Sequence, residues 1–122
     1  MAKETETLKI LQKIEDFADY AYPALKQFPK AERYNIVADM KRSLDIMAHR
    51  AIEAEKKYYK KTTLQELDVE VAYMRILVKR SFRLGFLPEK KKNVMLDYLS
   101  EIGKMLGGWM KTCGTREAQR KK

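Results

Sequence analysis

Apolar residues return along most of the chain at intervals of three and four, the period of a helix with one buried face. Ile10, Ile14, Phe17, Ala21 and Leu25 keep that period, with Leu11 and Ala18 beside them, and predict a first helix over residues 5–27. Pro23 should kink this helix or end its regular part, because proline cannot donate to the preceding turn. Pro29 disfavours helical geometry at Phe28, which places a break in Phe28-Pro-Lys-Ala-Glu-Arg33. Val37, Met40, Leu44, Met47 and Ala51 then predict a second helix over residues 30–59. Lys56, Lys57, Lys60 and Lys61 suit its C-terminal end, where the helix dipole favours cations. Thr63-Leu-Gln-Glu66 has the spacing of a capping box and marks a third helix over residues 63–85, with Gly85 as its C′ residue. Pro88 suits the first turn of a fourth helix over residues 88–111, whose face is Met95, Leu99, Ile102, Leu106 and Trp109. No stretch of strand period is long enough to compete. The pattern describes an all-α, antiparallel up-down-up-down four-helix bundle over residues 1–111. Residues 112–122 read as a basic tail with a flexible end.

Two features exceed what a lone bundle needs. On the third helix Leu67, Val71, Met74, Val78, Ser81 and Gly85 form the core face. Arg75, Lys79 and Arg83 follow an adjacent face at intervals of four. A third face carries Val69, Tyr73, Ile76, Leu77 and Leu84, with Arg80 among them. A second apolar arc fits either a subunit contact or a broad core buried by two neighbouring helices. On the fourth helix Gly103, Gly107 and Gly108 sit inside the periodic run, each at a cost of roughly 1 kcal/mol relative to Ala. Either the helix frays after Leu106, or the glycines let another backbone approach closely, with Gly108 on the polar face facing a partner.

Composition sharpens this picture. The chain has 122 residues, 45% apolar and 35% charged, enough for one domain with one core. A single cysteine, Cys113, allows no internal disulfide, and no apolar run resembles a signal peptide or a membrane span. Both point to the cytoplasm. The net charge is +9, which suggests a polyanionic partner. Residues 1–29 carry a net −1, 30–61 +4, 62–88 +1 and 89–122 +5, so the surplus lies on the second helix and on the fourth with its tail.

The helical-turn spacing of Arg75, Lys79 and Arg83, about 6 Å, approximates the phosphate spacing of a nucleic-acid strand. Lys90, Lys91 and Lys92 could extend that patch past the turn. Such contacts give salt-dependent binding with little sequence preference, whereas a solvated face of routine Lys and Arg would bind nothing. Catalytic chemistry is thinly represented. There is one His and one Cys, with no phosphate-cradling glycine loop, no metal-ligand spacing and no cofactor signature. Arg42 and His49 share a face and have the loose Arg-x6-His spacing of the HEPN ribonucleases, a short pattern that chance also produces. Glu66, Asp68 and Glu70 complement a helix N-terminus rather than a metal. Cys113, in a flexible end, lacks a fixed basic partner.

Three segments resemble a known family. Phe28-Pro-Lys-Ala-Glu-Arg-Tyr34, Leu84-Gly-Phe-Leu-Pro88 and Glu101-Ile-Gly-Lys-Met-Leu-Gly-Gly-Trp-Met-Lys111 look like the accessory variability determinant (Avd) of the diversity-generating retroelements of bacteria and phages. The likeness spans about residues 22–111, and Ile-Gly-Lys-Met-Leu-Gly-Gly-Trp is its most specific part. The wider superfamily includes four-helix proteins encoded in 23S rRNA intervening sequences. The resemblance implies a basic four-helix bundle assembling as a ring-like homopentamer, without catalytic activity or cofactor. It also implies binding to the retroelement reverse transcriptase and to RNA and DNA, in support of mutagenic copying of a template RNA. It assigns no individual nucleic-acid contact, so the basic residues above rest on their helix faces.

Overall fold

A computed structural model of the chain describes the backbone of residues 2–120 and the side chains of residues 9–113. Four α-helices account for most of it: α1 (Ala2–Leu25), α2 (Ile36–Lys56), α3 (Lys61–Arg83) and α4 (Glu89–Arg120), with a short 3₁₀ turn at Lys30–Glu32. Among the described residues there is no strand.

The connections explain where the observed helices depart from the expected ones. Pro23 is accommodated inside the last turn of α1, which then tightens, with Gln27 and Phe28 donating to the carbonyls of Ala24 and Leu25. The second helix does not begin at residue 30. Lys30–Glu32 form only a 3₁₀ turn, and Asn35 leaves helical geometry at φ −109°, ψ −109° while its side chain donates to the Ala31 carbonyl at 3.2 Å. α2 therefore starts at Ile36.

Its far end is also earlier than expected, at Lys56, because a side chain from beyond the helix closes it. The ammonium of Lys60 donates to the carbonyls of Ala54 (2.6 Å), Glu55 (3.1 Å) and Lys57 (2.6 Å). These are groups that a helix terminus otherwise leaves unsatisfied. The capping box expected at Thr63 does not form. α3 begins two residues earlier, Thr63 Oγ1 accepts from Lys57 Nζ at 3.2 Å, and Glu66 pairs instead with Arg50.

At the other end of α3, Gly85 adopts φ 81°. Phe86 N donates to the Ser81 carbonyl and Gly85 N to that of Phe82. This is the Schellman arrangement expected of a C′ glycine. α4 then runs without a break through Gly103, Gly107 and Gly108. It passes Lys111 and reaches Arg120, so fraying after Leu106 is not observed. Leu106, Trp109 and Cys113 are all buried along that stretch and pin it to the bundle. Cys113, expected in a flexible end, is thus a core residue. Of the tail expected over residues 112–122, the backbone is helical through Arg120 and the last two residues lie outside the described residues.

Each helix packs against two others, α1 on α2 and α4, and α3 on α2 and α4. The pairings run antiparallel. Ser43 Oγ donates to Glu70 Oε2 at 2.6 Å and Arg50 Nε lies 3.1 Å from Glu66, so numbers rise on α2 as they fall on α3. Likewise Lys13 pairs with Glu101 and Phe17 with Tyr98 across α1 and α4. Down the middle run Ile14 and Phe17, Met40 and Met47, Leu67 and Met74, Leu99 and Leu106, each 1% exposed or less. Trp109 joins them with its indole N–H buried and without a hydrogen-bond partner.

Candidate nucleic-acid interface

The outward face of α3 has a basic edge toward α4 and an apolar strip beside it. Three residues of the expected stripe behave differently. Arg75 is half-buried and its guanidinium donates to Ser100 Oγ at 3.2 Å, which lays it into the groove between α3 and α4. Lys79 and Arg83 are exposed. The stripe is therefore two free cations and one that is held against α4.

Lys90, Lys91 and Lys92 occupy the first turn of α4, beside the last turn of α3 with Arg80 and Arg83. Arg80 and Arg83 complement the C-terminal end of their dipole. The three lysines stand at the N-terminal end of theirs, where positive charge is unfavourable, and only Glu89 offsets them in that turn. Helix stability therefore does not account for their placement. Lys92 lies 4.1 Å from the centre of the Phe82 ring, a cation–π contact that fastens it to α3. Among the described residues no acidic group stands within ion-pair distance of Lys79, Arg80, Arg83, Lys90 or Lys91.

On α2 several cations are neutralised. Arg42 pairs with Asp39 at 3.0 Å, Arg50 with Glu53 and Glu66, and Lys57 with Glu53. Hydrogen bonds from Arg50 and then Lys57 hold the Glu53 carboxyl below the usual glutamate range. Hydrogen bonding to Glu53 in turn raises Arg50, and bonding to Glu101 raises Lys13. The surplus charge expected on the second helix is thus partly spent within the subunit. Sequence reasoning missed where the rest goes. Lys26, Lys30, Arg33 and Lys41 surround a cavity of about 240 Å³ at the α1–α2 connection. The signal was present in the Phe28–Tyr34 segment, whose Lys30 and Arg33 were read as part of a break, a helix start and a family-like segment but not as a site.

The second apolar face of α3 is exposed at Val69 (68%), Tyr73 (40%), Ile76 (50%) and Leu84 (57%), with Arg80 exposed among them. Leu77 does not belong to it. It is fully buried in the core, one helical step of 100° from Ile76. The glycines have no close neighbour inside the subunit. A Cβ at Gly103 would meet only the Arg75 guanidinium, at 3.9 Å, and one at Gly107 or Gly108 would meet nothing within 4 Å.

The remaining candidates for chemistry are not assembled into a site. Arg42 is committed to Asp39, and among the described residues none orients the exposed His49. Glu66 and Glu70 engage Arg50 and Ser43 respectively, which turns them away from a shared ion. Among the described residues no group of three His, Cys, Asp or Glu side chains could hold a metal, and no helix is long and apolar enough to cross a membrane.

Fold and surface together define a four-helix bundle with a basic end, an exposed apolar strip and no assembled catalytic group among the described residues. A family profile described as bAvd-like matches residues 8–113. The chain belongs to that family, the Avd accessory proteins of diversity-generating retroelements. Comparison with curated proteins yields no match.

Proposed function

We propose that the protein is the non-catalytic accessory subunit of a diversity-generating retroelement. It holds template RNA or cDNA on its basic surface and presents it to the reverse transcriptase, supporting mutagenic copying and retrohoming. The observation that carries this reading is the set of cations without acidic partners at the α3–α4 end, Lys79, Arg80, Arg83, Lys90 and Lys91. Family membership supplies the context, since reverse transcription belongs to the partner enzyme.

Replacing Lys79 and Arg83 by Gln removes two of these charges without touching the core. The double variant should bind single-stranded RNA more weakly, with its log Kd against log salt slope reduced by about 1.4. An unchanged slope removes this stripe from the site.

Assembly is part of the same proposal. Val69, Tyr73, Ile76 and Leu84 form an apolar strip that a second copy of the chain would cover, giving the homopentamer of the family. Ile76→Asp should lower the mass measured by sedimentation to that of a smaller species while leaving helical content intact. Gly108→Leu adds a side chain into open space within the subunit, so loss of assembly in that variant places α4 at the contact as well. Normal assembly of both variants would assign the strip and Gly108 to other surfaces.

A further inference from the structure

The cavity at the α1–α2 connection has a composition that no other described cavity shares. Lys26 directly follows α1, Lys30 opens the 3₁₀ turn and Arg33 directly follows it, Lys41 is on α2, and all four are exposed at its rim. No acidic side chain lines it. Among the described residues none of the four has an ion-pair partner, in contrast to Arg42 and Arg50 on the same helix. Four like charges converging from three elements repel one another, and a bound anion relieves that repulsion.

The cavity is also held in shape. Pro29 fixes the backbone at φ −54°, ψ 141°. The buried Phe28 packs on Phe86 with ring centres 5.8 Å apart, which anchors the floor to the α3–α4 turn. Lys41 Nζ lies 5.2 Å from the centre of the Tyr22 ring, so one ammonium is already positioned at the rim. Tyr22 and Pro29, with the buried Phe28, supply an apolar wall beside the cations. A wall of that kind has no use for inorganic phosphate but suits a sugar or base.

We infer that this cavity binds the phosphomonoester of a nucleotide, with Lys30 and Arg33 as the principal phosphate contacts and the aromatic wall against the nucleoside. At about 240 Å³ and partly open to solvent, it is smaller than the roughly 300–1,000 Å³ of pockets that enclose a whole ligand, so it would seat the phosphate and part of the nucleoside. A phosphomonoester carries about −1.5 to −2 charge at neutral pH, which matches the cluster better than the single charge of an internal diester. The ligand is either a free nucleotide or the phosphorylated end of a strand. The site is separate from the α3 stripe and extends the nucleic-acid reading without depending on that stripe.

The test uses the full chain and three probes: adenosine monophosphate, inorganic phosphate, and one oligonucleotide with and without a 5′-phosphate. Binding is followed calorimetrically for the small probes and by fluorescence anisotropy for the strands. Adenosine monophosphate should bind more tightly than inorganic phosphate, and Lys30→Gln with Arg33→Gln should weaken it about tenfold or more. A preference for the 5′-phosphorylated strand that vanishes in the double variant identifies the strand end. Nucleotide binding without that preference identifies the free nucleotide. Equal binding of inorganic phosphate and nucleotide, or equal affinity of wild type and double variant, overturns the inference. The Lys79→Gln, Arg83→Gln protein separates the two sites, since it should keep nucleotide binding while losing general strand affinity. Circular dichroism confirms that each variant remains helical.

Discussion

Lys60 carries a charge into a place where charge is costly, and its geometry shows what keeps it there. It is only 5% exposed, and its ammonium engages three carbonyls at the end of α2. Lys60→Met would preserve the stem and leave those acceptors without a donor, at a cost of about 2 kcal/mol. Urea unfolding should show that loss in the midpoint. Gly85 makes a comparable demand on the backbone. At φ 81° a Cβ is strained, so Gly85→Ala should destabilise by about 1–2 kcal/mol although nothing crowds the added methyl. Glu53 adds a pH dependence. Because its carboxyl is held below the usual range by Arg50 and Lys57, its contribution is complete above the ordinary glutamate pKa of about 4.3. It is lost as pH falls through the lowered value. Thermal melts of wild type and Glu53→Gln should therefore differ at neutral pH and converge in acid.

At the scale of elements, α3 shows both what could be read from the sequence and what could not. Its period, its C′ glycine and its charged face were legible, because each depends on residues within a turn or two. Ile76-Leu77-Val78 was not, since an uninterrupted apolar run leaves the boundary between core and surface to the angle at which neighbouring helices approach. Leu77 went to the core and Ile76 stayed outside. Leu77→Ala should cost about 2–5 kcal/mol, while Ile76→Ala should leave unfolding of the isolated subunit nearly unchanged. Chemical denaturation of both proteins checks the pair. The helix ends near residues 35 and 57 were misread for a related reason. Asn35 and Lys60 close those ends through side-chain contacts at separations of three to six residues, outside the standard capping patterns. The basic cavity was further out of reach, because its cations come from three elements and converge only after folding.

Across the whole molecule the antiparallel arrangement sorts charge by end. The α1–α2 and α3–α4 connections lie together, as the Phe28–Phe86 contact shows, and bring Lys26, Lys30, Arg33, Arg83 and Lys90 to one end of the bundle. A strand crossing that end would meet positive charge from both connections. Such binding should therefore weaken steeply with ionic strength, and titration of RNA affinity against salt measures how many of these cations take part. Trp109 lies toward the opposite end, twenty residues along α4 from Glu89 and hence about 30 Å away. It is the only tryptophan in the chain, and its indole N–H is sealed from water without a partner. Its fluorescence should consequently be blue-shifted in the native protein and move to the red on unfolding. Ligands arriving at the basic end should leave that emission untouched. The molecule thus carries an internal optical gauge, one that distinguishes a variant that has lost its ligand from a variant that has lost its fold.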